Sequence, residues 1–375
     1  MNFSKLNQFL EELPARGFPA CEMAITLEGE TVYRNTIGYS DAKGMKPVSP
    51  SDLYWIFSAT KIVTCTAAMR LVEEGRIHLE DPVSKYLPEF ESMVIRNKDK
   101  TIVPAKNTVT ILHLFTMSAG LNYGIRTPAL LEAKEKNAST LETVRAIASE
   151  PLDFEPGTRY SYSLCHDVLA AVVEVVSGMP FSAYLKQYVF DPLGIRDMGF
   201  LPSEEQAKRF STLYTYSTST MRSREIPCVN PYRLTDRYES GGAGLFASVD
   251  EYTKIITALA LGGTTKDGYR LLKPETVRMM QENRLPTEAL RGFAITKHFG
   301  YGFGLCGRAH MDPFISFSRS PVGEFGWDSA GNAYVLIDPK NKLALFFGAH
   351  ILDCQYGYYV IHPRLRDLTY EALDL

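Results

Sequence analysis

Two serines in this chain stand three residues before a lysine, a spacing at which the lysine amine can reach the serine hydroxyl. The pairs are Ser40–Lys43 and Ser58–Lys61. Residues three apart share a face only on a helix, and a serine hydroxyl attacks a carbonyl carbon only when a neighbouring base takes its proton. The chemistry indicated is acyl transfer through a covalent serine intermediate. The same four-residue pattern also fits an ordinary helix-capping serine with a surface lysine.

The surrounding sequence separates the two pairs. Ser40 lies in the turn-rich run GYSDAKG, where residues three apart have no fixed mutual geometry. Ser58 opens the run SATKIVTCTAAMRLVEEG, whose apolar residues recur at three- and four-residue intervals. This period is typical of a buried helix, and Gly75 is typical of its end. We therefore expect Ser58 at a helix N-terminus, where free N–H groups add positive potential beside its oxygen.

Strand patterns occupy both ends of the chain, and helical patterns occupy its middle. A hairpin is predicted from CEMAITL and TVYRNTIGY, and later strands from YGFGLCGRA, FISFSRS, NAYVLIDP and LALFFGAHI. Helices are predicted at 4–15, 82–88, 110–117, 139–149, 164–177, 181–189, 248–261 and 363–373. This order predicts an α+β fold. Residues 1–55 and 235–375 would form a sheet domain with an antiparallel sheet flanked by helices. Residues 56–234 would form an inserted helical domain, with the active site at the interface.

Composition excludes several classes of partner. The 375 residues carry 40 Lys and Arg against 43 Asp and Glu, a formal charge of −3, which does not favour nucleic acid. No secretion signal or membrane span is visible. The cytoplasm is therefore the expected location. The six cysteines are far apart and form no CxxC pair, so in that compartment they are expected to be reduced thiols. The oligomeric state does not follow from the sequence.

Several blocks in fixed order resemble those of class C β-lactamases, related penicillin-binding proteins and family VIII carboxylesterases. The Ser58 helix is followed by GRIHLEDPVSKYLP, and then by TVTILHLFTMSAGL, FEPGTRYSYS, GGAGLFASVDEYTKIITALALGG and EFGWDSAGNAYVLIDP. The resemblance extends from about residue 20 to residue 350. It implies a β-lactamase/transpeptidase-like fold.

The resemblance also implies roles for individual residues. Ser58 matches the nucleophile, Lys61 its helical partner, and Tyr162 the tyrosine of the second motif, although Tyr160 lies only two positions away. A phenol hydrogen-bonded to a lysine can relay a proton. Ala330 falls where the family supplies one oxyanion N–H, the other coming from Ser58.

Two motifs depart from the family pattern. In the second motif, residues 162–164 are Tyr-Ser-Leu, where relatives have Tyr-x-Asn. In the third motif, residues 327–329 are Trp-Asp-Ser, where relatives that hold a substrate carboxylate have Lys-Thr-Gly or His-x-Gly. The cation is replaced by an aromatic residue followed by an acid, and an aspartate beside the site is expected to repel such a carboxylate. The tyrosine after the SAGL turn is either a pocket residue or a loop aromatic. The candidates for substrate contacts are Tyr123, Leu164, Trp327, Asp328 and Ser329.

Other motifs carry weaker signals. The run from Gly302 to Gly307 is a formal GxGxxG, but strand-like residues surround it, which favours a close backbone approach over dinucleotide binding. No GxSxG elbow occurs. His166 is either a proton donor near the second motif or a histidine on a helix face. The histidines show no metal-binding spacing, so no metal and no cofactor are expected.

The function expected is that of a serine hydrolase that forms an acyl-enzyme. Its partner would be a small-molecule ester or amide, and carboxylesterase activity is favoured. A β-lactamase, a D-Ala-D-Ala carboxypeptidase or a D-amino-acid peptidase is the alternative. A catalytically silent binding protein with the same fold is the alternative of another class, and the two altered motifs are what supports it.

Overall fold

The computed structural model describes residues 1–296 and 298–375. Its helices are α1 (Ser4–Glu11), α2 (Thr60–Glu73), α3 (Ile111–Phe115), α4 (Pro128–Glu135), α5 (Thr140–Ala148), α6 (Cys165–Ser177), α7 (Phe181–Leu185), α8 (Glu204–Ala207), α9 (Val249–Ala260), α10 (Pro274–Gln281), α11 (Thr287–Ala294), α12 (Pro313–Ser316) and α13 (His362–Leu373). Short 3₁₀ turns lie at Pro14–Arg16, Phe57–Ala59, Val83–Lys85 and Pro88–Phe90, and π-helical turns at Lys186–Phe190 and Gly357–Ile361.

The strands are β1 (Ala20–Leu27), β2 (Glu30–Gly38), β3 (Tyr54–Trp55), β4 (Val94–Arg96), β5 (Ile102–Pro104), β6 (Met198–Gly199), β7 (Leu213–Ser217), β8 (Arg222–Ile226), β9 (Phe246–Ala247), β10 (Tyr301–Phe303), β11 (Arg308–His310), β12 (Phe325–Asp328), β13 (Tyr334–Asp338), β14 (Leu343–Ala349) and β15 (Ile351–Leu352).

The main sheet is built from both ends of the chain. Its seven strands run β10-β11-β12-β13-β14-β1-β2, and every neighbouring pair is antiparallel. Strands β1 and β2 form the expected hairpin, whose turn residues Glu28 and Gly29 have φ of 52° and 84°. Positive φ at both central positions gives a turn whose twist matches the flanking strands.

Alternation along β1 divides the core between the two faces of the sheet. Met23 and Ile25 belong to a cluster that includes leucines of α1 and α13, whereas Ala24 belongs to the larger cluster that includes α9. Successive side chains of a strand point to opposite faces. The sheet is therefore covered by terminal helices on one face and by α9 on the other.

The helical region is arranged around α2. Its residues are buried on all sides of the helix, with Ile62, Val63 and Cys65 each 0% exposed, and α2 packs against α6. Within the described residues, no single helix has the length and apolar composition to cross a membrane. The segments Cys165–Ser177 and Phe181–Phe190 meet those criteria only as a pair, which is bent by 76°.

The predicted α+β fold is confirmed, with local differences. The run FISFSRS is not a strand, because Pro313–Ser316 forms a helical turn. The Asp312 carboxylate caps that turn by accepting a hydrogen bond from the N–H of Phe314 at 2.9 Å, and proline occupies the first helical position. The helix predicted over 82–88 is instead a pair of 3₁₀ turns. The limits of the two domains stay a prediction.

Phe346 provides a test of the packing between sheet and helix. Its ring stacks on Tyr252 of α9 with centroids 4.4 Å apart, and it is 1% exposed. We expect Phe346→Ala to lower the free energy of unfolding by about 3–5 kcal/mol, because it leaves a cavity in the core. Phe314→Ala is the matched control, since Phe314 is 88% exposed. Equal effects of the two substitutions in urea denaturation would contradict this packing.

Candidate active site

Ser58 lies at the junction between a strained turn and helix α2. The 3₁₀ turn Phe57–Ala59 runs directly into α2, and Phe57 has a φ of 41°, an unfavourable backbone conformation for a bulky residue. Ser58 is 6% exposed and lines a cavity of about 400 Å³. The turn therefore places the serine oxygen at a cavity wall, beside the N-terminus of a helix.

Lys61 lies one helical turn further along and is fully buried. Its Nζ donates a hydrogen bond to the carbonyl of Gly242 at 2.7 Å and another to Ser58 Oγ at 3.5 Å. The same nitrogen lies 4.6 Å from the centre of the Tyr162 ring. Within the described chain, no carboxylate oxygen lies within 4.0 Å of it. The ammonium group is therefore held by neutral oxygen atoms and by an aromatic ring.

The carbonyl that holds Lys61 is itself positioned by Asp167. Asp167 Oδ1 accepts hydrogen bonds from the Tyr238 hydroxyl at 2.6 Å, from Ser240 Oγ at 2.5 Å and from the N–H of Gly242 at 3.2 Å. A Cβ at position 242 would lie 2.4 Å from the Asp167 carboxylate, so only glycine fits there. Sequence reasoning missed Asp167, because nothing local relates it to Lys61.

Tyr162, and not Tyr160, contacts the serine. The Tyr162 hydroxyl donates a hydrogen bond to Ser58 Oγ at 2.7 Å and accepts one from Nε1 of Trp327 at 3.3 Å. Its ring stacks on Tyr123, with centroids 5.3 Å apart and planes at 7°. Tyr160 packs instead against the rings of Phe293 and Phe303. The two-residue ambiguity in the second motif is resolved in favour of Tyr162.

Tyr123 is a cavity residue rather than a loose loop aromatic. It lines the same cavity as Ser58, and burial raises the pKa of its phenol well above the usual value. It therefore stays neutral and acts as an apolar platform under Tyr162. Of the two stacked phenols, only Tyr162 reaches Ser58 Oγ.

The third motif forms the opposite wall of the cavity. Trp327, Asp328, Ser329 and Ala330 all line it. The Ser329 side chain is bonded within the protein, since its Oγ donates to the backbone carbonyl of Ile56 at 2.7 Å, and its contact with substrate stays a prediction. That bond fixes the end of β12 against the loop that leads into Ser58. Ala330 lines the same cavity as Ser58, and its role in the oxyanion site stays a prediction.

Asp328 is not the free negative charge that the sequence suggested. Its Oδ1 accepts a hydrogen bond from His362 Nδ1 at 2.7 Å, and its Oδ2 lies 3.8 Å from Nη1 of Arg308. Burial acts to raise the pKa of Asp328, but the His362 hydrogen bond and the charge of Arg308 outweigh it and lower the pKa to about 2. Simple repulsion of a substrate carboxylate is therefore the wrong description, since the carboxylate is already paired.

Two other expectations are corrected by the placement of residues. Leu164 is buried at the start of α6 and lines a separate small pocket beside Leu121 and Leu130, so it does not contact the Ser58 cavity. His166 is also buried, and burial together with the charge of Lys61 lowers its pKa to about 3. Its Nε2 lies 3.1 Å from the Phe115 carbonyl oxygen. His166 is therefore a structural residue and not a proton donor.

The glycine-rich run on the sheet has a packing role. A Cβ at Gly304 would lie 2.2 Å from the Met280 carbonyl oxygen, and one at Gly307 would lie 2.3 Å from that of Gly326. Both glycines therefore allow close approach of neighbouring backbone. The structure confirms this reading of the GxGxxG match.

Sequence reasoning missed more than half of the residues that line the cavity, including several polar ones. One signal was present, since Tyr358, His362 and Arg366 are spaced by four and share one face of the C-terminal helical segment. The predicted helix began one residue too late, at 363, to include His362. The polar or aromatic residues of the cavity wall that sequence reasoning missed include Tyr232, His298, Arg308, Tyr358, His362 and Arg366.

Comparison with known proteins finds relatives across most of the chain. Residues 6–351 match the family model described as Beta-lactamase. The chain is 32% identical to Protein Rv1367c of Mycobacterium tuberculosis over 327 residues, covering 84% of this chain and 81% of that protein. It is 29% identical to Esterase EstB of Burkholderia gladioli over 343 residues, covering 85% of this chain and 82% of that protein.

Solved structures show the same fold. That of EstCE1, described as a hydrolase with promiscuous acyltransferase activity, matches with a TM-score of 0.82 at 24% identity and covers 98% of both chains. The structure of a family VIII carboxylesterase matches with a TM-score of 0.74 at 19% identity and covers 99% of this chain and 97% of that one. Because the family model spans more than half of its length, this chain belongs to the Beta-lactamase family, within the serine hydrolase superfamily.

Proposed function

We propose that this protein is a carboxylesterase that cleaves small esters through an acyl-enzyme on Ser58. The observation that carries the proposal is the hydrogen bond of 2.7 Å between Tyr162 and Ser58 Oγ, with the buried Lys61 Nζ 3.5 Å from the same oxygen. A hydroxyl flanked by two groups that can exchange a proton is equipped for nucleophilic attack. The esterase named among the relatives supports this choice of reaction.

Acylation follows from these distances. In the reactive form, one of Lys61 and Tyr162 is unprotonated and accepts the Ser58 proton as Oγ bonds to the carbonyl carbon. The carbonyl electron pair moves to its oxygen, where the N–H groups of Ser58 and Ala330 stabilise the negative charge. When the carbon–oxygen ester bond breaks, the leaving alcohol takes the proton. The Trp327 indole N–H stabilises negative charge on the Tyr162 oxygen during the transfer.

Deacylation reverses the roles with water as the nucleophile. A water molecule gives its proton to the same Lys61–Tyr162 pair and adds to the acyl carbon, and Ser58 Oγ leaves with that proton. The aromatic rings of Tyr123, Tyr162 and Trp327 form the walls of the cavity near the serine. Such walls favour an uncharged acyl group.

Ser58→Ala should abolish hydrolysis of short-chain p-nitrophenyl esters, because no other group in the proposed mechanism forms the acyl-enzyme. The matched control is Ser40→Ala, since Ser40 has the same Ser-x-x-Lys spacing but its Oγ donates only to the backbone carbonyl of Lys46. A fluorophosphonate probe with intact-mass detection should label the wild type and Ser40→Ala, and not Ser58→Ala. Failure of Ser58 to label would favour the silent binding protein.

Tyr162→Phe should lower kcat by about 10²–10⁴-fold, the usual contribution of a positioned general acid or base. The ring and its stacking on Tyr123 are kept, so the fold should be unaffected. Tyr160→Phe is the control, because Tyr160 packs among Phe293 and Phe303 and does not contact Ser58. Equal kcat values for the two variants would show that Tyr162 takes no part in proton transfer.

Nitrocefin should be a poor substrate, with a kcat/KM at least about tenfold to a hundredfold below that of p-nitrophenyl butyrate. The third motif carries an indole where a carboxylate-binding cation would lie, and the loss of one charged hydrogen bond costs about 1.5–3 kcal/mol. A nitrocefin kcat/KM as high as that of the ester would overturn the esterase assignment in favour of a β-lactamase or carboxypeptidase.

A further inference from the structure

The cavity wall carries a group of polar side chains that the proposed mechanism does not use. Arg308 of β11, Asp328 at the end of β12 and His362 of α13 are brought together there, and we name these three residues the polar cluster. Arg308 is 4% exposed and His362 is 1% exposed. The Asp328 carboxylate lies between them, 2.7 Å from His362 Nδ1 and 3.8 Å from Arg308 Nη1.

Two buried nitrogen atoms of the polar cluster lack a hydrogen-bond partner among the described residues. They are Arg308 Nη1 and His362 Nε2. The other terminal nitrogen of Arg308 is fully used, since Nη2 donates to Glu324 Oε1 at 3.1 Å and to the Val335 carbonyl at 2.9 Å. Buried polar atoms are nearly always paired, and each one left unpaired costs about 1–3 kcal/mol. Because both side chains line the cavity, a molecule bound there is a candidate partner for these two atoms.

The Asp328 contact fixes which of these atoms donates and which accepts. The pKa of Asp328 is lowered to about 2, so its carboxylate is ionised and can only accept a hydrogen bond. His362 Nδ1 therefore carries the proton that it donates to Asp328. With the ring proton placed on Nδ1 by this contact, the other ring nitrogen, Nε2, holds a lone pair and is assigned as the acceptor, whereas Arg308 Nη1 is a donor.

The charges around the polar cluster do not favour an anion. The single positive charge of Arg308 faces two carboxylates, Glu324 at 3.1 Å and Asp328 at 3.8 Å. The formal charges of Arg308, Glu324 and Asp328 sum to −1. Arg366, which also lines the cavity, is paired with Asp367 at 2.9 Å. A further carboxylate would meet Asp328 without an unpaired cation to balance it.

From this arrangement we infer that the polar cluster is a specificity subsite for an uncharged hydroxyl group of the ester substrate. The hydroxyl oxygen accepts a hydrogen bond from Arg308 Nη1, and its proton is donated to His362 Nε2. The inference rests on the proposed esterase function and adds a substrate class to it: esters that carry a hydroxyl group away from the reacting carbonyl. A substrate with a methyl group in that place leaves both nitrogen atoms unpaired, which disfavours it.

The test compares esters that differ only by exchange of a terminal methyl for a hydroxyl. On the acyl side, p-nitrophenyl heptanoate is paired with the p-nitrophenyl ester of ω-hydroxyhexanoate. On the alcohol side, pentyl butyrate is paired with ω-hydroxybutyl butyrate. Shorter and longer pairs locate the chain length that reaches the polar cluster. At that length we expect kcat/KM of the hydroxylated ester to be about tenfold to a hundredfold higher, as one or two satisfied buried groups imply.

His362→Asn isolates the nitrogen atom in question. The asparagine amide can replace Nδ1 in the hydrogen bond to Asp328, so the pair survives, but it has no atom at the position of Nε2. The ratio of the two kcat/KM values should fall to within about threefold of unity. His78→Asn is the control, since His78 is an exposed residue that does not line the cavity, and its ratio should equal the wild-type value. Thermal unfolding and fluorophosphonate labelling of Ser58 show that each variant is folded.

The possible outcomes separate this inference from the proposed function. Hydrolysis of both esters in every pair at equal rates would overturn the subsite and leave the esterase intact. No hydrolysis of any ester, with no labelling of Ser58, would overturn both. A preference for the matching monoester of a dicarboxylic acid over the hydroxylated ester would show that the subsite takes an anion, which contradicts the inference. A wild-type preference that persists in His362→Asn would show that His362 is not the acceptor.

Discussion

The buried ammonium group of Lys61 is the constraint on which the rest of the site depends. A cation taken out of water is costly unless the protein replaces its hydration. Here the replacement comes from the Gly242 carbonyl, Ser58 Oγ and the face of Tyr162, with no carboxylate of the described residues in contact. Because the positive charge is solvated but not neutralised, it stabilises negative charge on the neighbouring oxygen atoms. In the proposed mechanism, this charge is the electrostatic basis for activating Ser58.

Solvating the Lys61 ammonium group requires three distant parts of the chain to be held in fixed relative positions. Helix α2 supplies Lys61, the turn at Gly242 supplies its acceptor, and Asp167 of α6 fixes that turn. The hydrogen bond between Ser329 and Ile56 then ties the sheet to the loop before the nucleophile. The proposed acyl transfer depends on this fixed relation between the sheet and the helical region. One proposed oxyanion donor, Ala330, follows strand β12, whereas the other donor, Ser58, lies beside Lys61 at the start of α2.

The cavity has two chemically different parts. Near Ser58 its walls are aromatic, whereas the polar cluster of Arg308, Asp328 and His362 carries two buried nitrogen atoms without a hydrogen-bond partner among the described residues. The acidic residue in the third motif is thus one member of a paired group rather than an isolated repulsive charge. Selection by hydrogen bonding at that wall is compatible with the charge balance, whereas selection by simple charge is not.

By itself, the sequence determined the features that depend on residues close together in the chain. The i, i+3 spacing in one helical turn placed Lys61 beside Ser58, the Glu28–Gly29 turn set the hairpin, and the second motif narrowed the tyrosine to two positions. Local reasoning failed at 313–316, where the Asp312 cap and a proline outweigh the strand-like pattern. Only the tertiary structure showed that Tyr162 contacts Ser58, that Leu164 lies outside the cavity and that Asp328 pairs with His362. These contacts join residues more than thirty positions apart in the chain. The packing of the sheet against the helices decides which of them meet.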